Sequence, residues 1–372
     1  MLKTFKYRLY PTSHQEHLMR STLDECRWLY NHLLEERKNA WEQEQKSLNY
    51  YTQAVSIPKL KKERDSLSDV YSQVLQNVAV RVDLAFKAFF RRVKAGEKAG
   101  YPRFKGRGWY DSFTYPQLGF SLGDNVVTLS KIGNVKAKIH RTIGGINICS
   151  IKRTPTGKWF VCLTSEGSNS PLPESEEAIG IDVGLESFAT LSTGEAIANP
   201  RFFRIDEKAL ARAQRKLSRL DKGTPERRRA KKVMAHIHER IANRRSNFAH
   251  QLSHQIVSQF GVICVEDINT SRMLHNHCLA KSISDAGWSQ FIACLSYKAE
   301  SAGRKFMAVN PSYTSQDCSR CGHRQQLTLS DRVFTCPCCN LVINRDHNAS
   351  LNILARGLAS LGIQSVEAVC FS

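Results

Sequence analysis

The first hundred residues combine one strand pattern with long helical patterns. Leu2–Tyr10 alternates apolar and polar side chains, which predicts a half-buried strand. Ser13–Glu16 then has the form of a capping box and opens a run of apolar residues at helical spacing, so we expect an amphipathic helix. A polar, weakly patterned region, Lys38–Ser68, precedes a second predicted helix at 72–94.

Short strands and turns are the pattern of the next fifty residues. Between Ser112 and Ser165, apolar or alternating runs are separated by turn signals that contain glycine. Such spacing predicts a small barrel or sandwich, closed by the N-terminal strand across the intervening helices. Gly167–Glu177 is then expected to be a linker.

An aspartate lies within the next predicted hairpin. Ala178–Gly194 contains two apolar runs joined at Gly184, and Asp182 lies in the first of them. An ionised carboxylate among Ile and Val side chains is costly unless a cation, an opposite charge or several donors meet it. From this stretch alone, a metal ligand and an aspartate that caps a neighbouring turn are both open.

Helices and strands alternate through the rest of the chain. Two patterned stretches at 203–260 predict an inserted helical hairpin, and a helix at 288–302 and a strand at 305–309 follow. The segment 270–284 is either an ordered lid or a connection, and its pattern does not separate the two. Its histidines, His275 and His277, lack spacing to another metal ligand and are expected at the surface.

Two further carboxylates stand at the ends of predicted elements. Glu266 ends the apolar strand that begins at Val262, and Asp346 opens a helix whose apolar stripe includes Ile353. With the hairpin that carries Asp182, this arrangement resembles the RuvC nuclease core, an RNase H-like α/β fold. Crowded carboxylates cannot all stay ionised unless cations neutralise them, so we interpret the three acids as a metal site.

The composition is basic. Lys and Arg number 54, Asp and Glu number 34, and the net charge of the 372 residues is +20. This charge suits a polyanionic partner such as nucleic acid, although a merely soluble basic protein has the same composition. The length allows two or three domains. Neither a signal-peptide core nor a run of about 18 uncharged apolar residues occurs, so we expect a soluble, cytoplasmic protein without a membrane partner.

Two regions are candidates for nucleic-acid contact. The loop Gly96–Tyr110 interleaves cations, which neutralise phosphates, with aromatic rings, which stack on bases. The helical insertion carries many arginines and few acids. A solvated loop and a solvated helix face are the alternatives. The predicted contacts, which include two cations of the first strand, are Lys6, Arg8, Tyr101, Arg103, Phe104, Lys105, Arg107, Arg215, Arg219 and Arg244.

Four cysteines have the spacing of a zinc site. They follow the pattern C-x2-C-x14-C-x2-C and are Cys318, Cys321, Cys336 and Cys339. Two such knuckles can close a tetrahedron of thiolates around a structural Zn²⁺. Cys338 is a spare cysteine, although it could replace Cys339 as a ligand. We expect the other cysteines to be core thiols rather than disulfides. They are Cys26, Cys149, Cys162, Cys264, Cys278, Cys294 and Cys370.

Seven motifs extend from the first strand to near the C-terminus. They are FKYRLYPT at Phe5–Thr12, CRWLYNHLL at Cys26–Leu34, GYPRFKGR at Gly100–Arg107, GIDVGL at Gly180–Leu185, VEDIN at Val265–Asn269, SQDCSRCG at Ser315–Gly322 and RDHNAS at Arg345–Ser350. With these motifs the chain resembles TnpB, the RNA-guided DNA endonucleases of bacterial and archaeal insertion sequences, which are related to type V CRISPR effectors. It departs from the family pattern at three positions. Asn344 stands where Asp is common, Asn340 stands where Gly often follows the last cysteine, and Cys338 is an extra cysteine.

The resemblance implies a division of the chain into functional parts. These are a wedge strand at 1–10, a helical recognition lobe at 11–108, a wedge β-barrel at 109–170, a RuvC-like nuclease domain at 171–311 with the helical insertion at about 203–260, an inserted zinc finger at 312–342 and the C-terminal part of the nuclease domain at 343–372. The wedge would grip the scaffold of a guide RNA. The N-terminal parts would also help to read a short motif beside the target, whose sequence is read by base pairing.

The resemblance also implies a chemistry. Asp182, Glu266 and Asp346 match the family's three catalytic acids, which would hold two Mg²⁺ ions for hydrolysis of phosphodiester bonds in target double-stranded DNA. The guide RNA would be transcribed from the transposon end, and the protein would act as a monomer with one RNA.

Two other functions are alternatives. A nuclease-inactive RNA-guided DNA-binding repressor would be marked by loss of an acid, and all three acids are present. A transposase that acts without RNA is disfavoured because no tyrosine or serine strand-transfer motif accompanies the acids.

Overall fold

The structure is a computed structural model in which residues 2–141, 143–167, 171–328 and 331–363 are described. The chain forms two compact units, Met1–Ser168 and Asn169–Ser372. In the described parts of the chain, no helix combines the length and apolar character that crossing a membrane requires.

A seven-stranded antiparallel sheet is the centre of the first unit. Its strands are β1 (Leu2–Tyr10), β2 (Ser112–Tyr115), β3 (Phe120–Gly123), β4 (Val126–Leu129), β5 (Gly133–Ala137), β6 (Ile146–Arg153) and β7 (Trp159–Glu166). The order β2-β6-β7-β1-β5-β4-β3 places the N-terminal strand in the middle. It pairs with β7 from Leu2↔Glu166 to Leu9↔Trp159 and with β5 at its end.

The alternation in β1 explains its central position. Tyr7 and Leu9 are buried in the core of the unit, whereas Lys6, on the opposite side of the strand, is exposed. The predicted strand and its pairing with the later β region are therefore confirmed. Within the described residues β2 and β3 are the edges of an open sheet, so closure into a barrel remains a prediction.

Three long helices connect β1 to β2. They are α1 (Ser13–Glu44), α2 (Tyr50–Glu63) and α3 (Ser72–Lys94), with a 3₁₀ turn at Asp65–Asp69. The helix predicted at 72–94 is confirmed. The predicted capping box is wrong by one residue, because the extended Thr12 is the N-cap and exchanges hydrogen bonds with Gln15. Glu16 instead accepts from Arg20.

The region 38–68 is more helical than its sequence pattern indicates. It contains the end of α1 and all of α2. Arg37 is buried between the helices and donates to Gln53 and Asp83, and Gln53 is fully buried. Because polar contacts hold these helices together, the hydrophobic pattern does not reveal them.

A five-stranded mixed sheet organises the second unit. Its strands are β8 (Ala178–Val183), β9 (Ser187–Leu191), β10 (Ala196–Ala198), β11 (Val262–Glu266) and β12 (Lys305–Val309). The order is β10-β9-β8-β11-β12, with β8, β11 and β12 parallel and the β8–β9 hairpin antiparallel. The predicted hairpin and both later strands are confirmed.

Helices cover both faces of this sheet, as expected for an α/β fold. The helices in the described part of this unit are α4 (Phe202–Ser218), α5 (Pro225–Gln259), α6 (Thr270–Met273), α7 (Ala280–Ala286), α8 (Trp288–Ala302) and α9 (Arg345–Ser360). Of these, α5, α7 and α8 pack on one face of the sheet and α9 packs on the other, whereas α4 packs on α5. A short hairpin of β13 (Val333–Thr335) and β14 (Val342–Asn344) precedes α9. The predicted helices at 203–260 and 288–302 are confirmed. The segment 270–284 contains α6 and the start of α7, where Ile283 is buried, so it is in part packed against the core.

One face of the sheet packs unusually closely on α9. A methyl group built at Gly180 of β8 would lie 2.1 Å from Ser350 O of the helix. A methyl group at Gly357 of α9 would lie 2.1 Å from Cys264 Sγ of β11. Glycine at both contacts lets the backbones approach and fixes the position of the helix along the strands.

The predictions for isolated cysteines and histidines are largely confirmed. Cys26, Cys149, Cys264 and Cys294 are buried and Cys162 is half-buried. The prediction is wrong for Cys278, which is exposed in the polar turn between α6 and α7. Cys370 lies outside the described residues. His275 and His277 are exposed, as expected.

Candidate active site and cysteine metal centre

The register of two parallel strands brings Asp182 and Glu266 together. Val265 of β11 lies beside Ile181 of β8, so the next residue of each strand is Glu266 and Asp182. Because side chains alternate along a strand, both acids project to the face that also carries Gly180. This is the face on which α9 packs.

The first turn of α9 adds Asp346 to the same end of the sheet. The side chain of Asn344, at the N-cap, accepts from the backbone N–H groups of Asp346 (2.9 Å) and His347 (3.1 Å). The cap fixes the start of the helix, so that Asp346 lies in its first turn and Gly357 lies further along it. Asn344, one of the departures from the family pattern, is therefore the residue that begins this helix.

The charges of Glu266 and Asp346 act on the buried carboxyl of Asp182. Burial raises the pKa of Asp182 well above its usual range, and the charges of Glu266 and Asp346 raise it further, while Arg345 opposes them. Burial also raises the pKa of Glu266, against the effects of a hydrogen bond from Thr314 and the charge of Arg356. Carboxylates that resist ionisation in this way attract a cation.

An arginine already neutralises one acid. The guanidinium of Arg345 donates to Asp346 Oδ1 from Nε (3.2 Å) and Nη2 (3.1 Å). The two side chains are only 16% and 22% exposed, so the pair is shielded from water. Sequence reasoning missed this partner, although it directly precedes Asp346 in the RDHNAS motif.

The donor set fits a hard divalent cation. Three carboxylates are the oxygen ligands that Mg²⁺ prefers. Among the described residues, the oxygens of Asp182, Glu266 and Asp346 do not form a group whose members all lie within 4.8 Å of one another. A two-ion site satisfies this spacing, because its outer carboxylates bind different ions.

Two polar side chains lie beside the acid site. Thr314, which precedes the first cysteine knuckle, donates from its hydroxyl to Glu266 Oε1. His347, beside Asp346, lies with Nε2 at 3.2 Å from Ser192 O at the end of the β8–β9 hairpin. Thr314 is inside the segment that joins β12 to the cysteines, where no hydrophobic pattern draws attention to it.

The four predicted cysteines form a compact cluster. Their Sγ atoms all lie within 4.8 Å of one another, and the pairs Cys318–Cys339 and Cys321–Cys336 are 3.6 Å and 3.5 Å apart. Tetrahedral zinc with Zn–S bonds of about 2.3 Å requires sulfur separations of about 3.8 Å. Cys338 is exposed and outside the cluster. The donor set and spacing therefore fit zinc with Cys339 as the ligand.

The thiol of Cys336 is prepared for metal binding. Burial opposes its ionisation, but the backbone N–H groups of Cys339 and Cys338 and the neighbouring thiols lower its pKa to about 6. Metal ligation requires the thiolate, so this residue offers a ligand near neutral pH. The buried ring of Phe334 in the β13–β14 hairpin packs under the cluster.

The predicted contacts of the first unit are mostly accessible. Lys6 and Arg8 on β1 both lie over the ring of Phe160. Tyr101 is 44% exposed and Phe104 53% exposed. Arg103 and Arg107 are exposed, and the backbone of Lys105 is held by the side chain of Asn31 through N–H (2.7 Å) and C=O (3.0 Å) contacts. Tyr110, at the end of the same loop, is buried and belongs to the core.

Two pairs of arginines in the α4–α5 hairpin have different surroundings. Arg244 and Arg240 pair with the buried Asp206 of α4, which gives them a structural role within the hairpin. Arg215 and Arg219, at the end of α4, are exposed. The sequence did not reveal the Asp206 pairs, because these residues are more than thirty positions apart.

Three family profiles match the chain. The one described as "Helix-turn-helix domain" (HTH_OrfB_IS605) matches residues 1–46, which here form β1 and α1. The one described as "Probable transposase" (OrfB_IS605) matches 160–277, and the one described as "Cas12f1-like, TNB domain" matches 288–353. The last two contain the acids and the cysteine cluster.

Relatives match along nearly the whole chain. A putative RNA-guided DNA endonuclease of Streptomyces pristinaespiralis is 36% identical over 96% of this chain and 90% of its own length. The putative RNA-guided DNA endonuclease InsQ of Escherichia coli K12 is 32% identical over 97% of this chain and 93% of its own length. The fold is similar to that in a cryo-EM structure of a Cas12f1-sgRNA-target DNA complex, with a TM-score of 0.57, 14% identity and coverage of 95% of this chain and 98% of that chain. The chain therefore belongs to the TnpB family.

Proposed function

We propose that this protein is an RNA-guided DNA endonuclease that pairs a bound guide RNA with target DNA beside a short recognition motif and hydrolyses phosphodiester bonds. The observation that carries the proposal is the convergence of Asp182, Glu266 and Asp346 from two strands and one helix. Relatives that cover nearly all of the chain bear the same activity in their names.

The acids supply the binding and orientation that the reaction requires. The charges of both Glu266 and Asp346 act on Asp182, so Asp182 would be the central residue of the three that would hold the metal. Asp182, Glu266 and Asp346 would hold Mg²⁺, which would supply activation of water for attack on phosphorus and stabilisation of the departing 3′ oxygen. Burial of Asp182 limits competing water at the shared ligand.

Arg345 keeps the site stable before ions arrive. Its guanidinium balances part of the charge of Asp346 and must share that carboxylate once a metal is bound. Such a built-in counter-ion lets three acids fold close together without complete protonation.

The first unit and the basic residues provide the nucleic-acid contacts of the proposal. Guide RNA and target double-stranded DNA are polyanions, and the chain carries a net charge of +20. The exposed Tyr101 and Phe104 offer rings for base stacking, and Arg103 and Arg107 offer phosphate contacts. The wedge, recognition-lobe, nuclease and zinc-finger ranges, the origin of the RNA at the transposon end and the monomeric state belong to this proposal.

The cysteine cluster is proposed to hold a structural Zn²⁺. Four thiolates leave no open coordination position for a substrate, so the metal would stabilise the finger rather than take part in hydrolysis. Its place between β12 and α9 links it to two elements of the acid site.

A plasmid library with a randomised flank beside the target tests the proposal. The full-length protein, purified with and without its co-expressed RNA, should cut only with RNA, only at the matched target and only with Mg²⁺. Asp182→Ala should remove cleavage and keep RNA binding, whereas Asp221→Ala, an exposed acid in the α4–α5 turn, should cut normally. Target binding without cutting by the unaltered protein would favour the repressor alternative. Cutting without RNA would contradict RNA guidance.

A further inference from the structure

Thr314 is a buried hydroxyl beside the acid site. Its residue is 3% exposed and lies in the turn that connects β12 to the first cysteine knuckle. The hydroxyl is within hydrogen-bond distance of Glu266 Oε1 and, at 3.1 Å, of Pro311 O. A hydroxyl has one proton to donate, and the carboxylate is the nearer and more strongly accepting group, so Thr314 donates to Glu266.

The turn that carries Thr314 is attached to α9. Asn352 Nδ2 donates to Thr314 O (2.8 Å) and to Asp317 O (2.7 Å). The fully buried Asn348 donates to Asp317 O (2.8 Å) and accepts from the backbone N–H of Ser319 (2.9 Å). The same helix begins with Asp346, so the turn and that acid share one rigid support.

The backbone of the turn is strained in a way that aims Thr314 inward. Tyr313 adopts φ 65°, a left-handed conformation that is uncommon for an aromatic residue. Its C=O accepts from the N–H groups of Gln316 and Asp317, both at 3.0 Å. The reversal leaves the Tyr313 ring 50% exposed while Thr314 faces Glu266. Strained residues of this kind persist only where the surroundings fix them.

We propose that Thr314 is a positioning residue that orients the Glu266 carboxylate for divalent-metal binding, and that the cysteine knuckle at Cys318 holds Thr314 in place. This inference rests on the proposed function, since it assigns Glu266 to the metal site. Asp317, which Asn348 and Asn352 bind, directly precedes Cys318, so the knuckle and the turn are continuous. The finger would thereby support Glu266 through the Thr314 hydroxyl and Asp346 through α9.

Metal binding by the full-length, zinc-loaded protein without nucleic acid is the first test. Mn²⁺ replaces Mg²⁺ as a probe, and Asp182→Asn provides the background from other sites. Removing a hydrogen-bond partner of a metal ligand weakens metal affinity by about 10- to 100-fold. We expect this loss in Thr314→Val, which is close in shape but cannot donate. Thr314→Ser, which keeps the donor, should remain within about threefold of the unaltered protein.

A matched control separates positioning from general destabilisation. Thr335→Val makes the same change at an exposed position of the finger and should leave Mn²⁺ affinity unchanged. Zinc content and thermal unfolding are measured for each variant. If Thr314→Val loses zinc, Thr314→Ala takes its place in the comparison. Equal Mn²⁺ affinity of the donor-free variant and the control would overturn the proposal.

Cleavage in complex with RNA provides the second readout. The Mg²⁺ concentration at half-maximal rate should rise about 10-fold or more in Thr314→Val, with a smaller change at saturating Mg²⁺. An unchanged Mg²⁺ requirement in a cleaving complex would contradict the positioning role. If the unaltered protein does not cleave, the proposed function fails, and the Mn²⁺ comparison still decides whether Thr314 orients Glu266.

Discussion

The two groups of candidate metal ligands in the second unit are built in opposite ways. The four cysteines lie within 4.8 Å of one another, and the thiol of Cys336 has a lowered pKa. The three acids are more widely spaced, and burial and mutual repulsion raise the pKa of Asp182. The cysteine cluster is therefore already arranged for its metal, whereas the acid site is held in an unfavourable state that a cation relieves.

The difference agrees with the roles proposed for the two sites. A structural metal is bound once, so its ligands gain from being close and ready. A catalytic site must exchange ions, water and substrate, and it keeps unsatisfied charge that is most useful when the substrate arrives. Arg345 serves the acid site as a replaceable partner.

Among the tests of this comparison, removal of one acid has the largest expected effect, which is a loss of cleavage. Glu266→Gln and Asp346→Asn should each reduce cleavage by about 10⁴-fold, because groups that act as a unit fail together. For the same reason the double variant should lose no more than about tenfold beyond either single variant. Single-turnover cleavage by RNA-loaded protein measures all three. Multiplicative losses in the double variant would mean that the two carboxylates act independently.

Removal of one thiolate tests the other half of the comparison. Cys321→Ala should abolish stoichiometric zinc and lower the thermal stability of the protein, since zinc binding to such sites contributes about 10 kcal/mol or more. Cys338→Ala, the same change at the exposed cysteine outside the cluster, should keep zinc. Elemental analysis and calorimetry measure the outcome. Zinc loss from Cys338→Ala alone would exchange the roles of Cys338 and Cys339.

The pH dependence of metal binding sharpens the contrast. The raised pKa of Asp182 means that its carboxyl takes up a proton at a higher pH than an ordinary aspartate, and the neutral form does not bind a cation. Mn²⁺ affinity should therefore fall by about tenfold per pH unit below that pKa. Titration from about pH 8 to about pH 5 measures the slope. Asp182→Asn should lack this component, and a flat profile in the unaltered protein would argue against a shifted Asp182.

The smallest expected effect is on stability without divalent ions. A carboxyl whose folded-state pKa is raised favours folding fully only below its unfolded pKa, and that contribution is lost as pH rises through the folded value. At neutral pH, burial of the ionised Asp182 therefore destabilises the fold. Asp182→Asn removes this destabilisation and should raise the melting temperature by about 2–4 °C. Asp221→Asn serves as the exposed control. A lower melting temperature of Asp182→Asn would show that the ionised Asp182 stabilises the metal-free fold.

The sequence predicted the elements that carry the acids better than the contacts between them. Apolar runs that lead to Asp182 and Glu266 revealed both strands, and the apolar stripe that follows Asp346 revealed the helix, because burial leaves local patterns. The register that aligns β8 with β11 has no local signal. Polar interfaces were missed for the same reason, as the contacts of Arg37 and the pairing of Asp206 show.

Gly180 is a sensitive position beside the proposed acid site, although glycine has no side-chain chemistry of its own. Even one added methyl group there would push α9 outward, and Asp346 in its first turn would move with it. Activity should then be lost at a position that touches neither ion nor DNA, while the fold and the zinc finger remain. Substitution near the acids is thus limited by the close backbone contact between β8 and α9 as strictly as by the charges of the carboxylates.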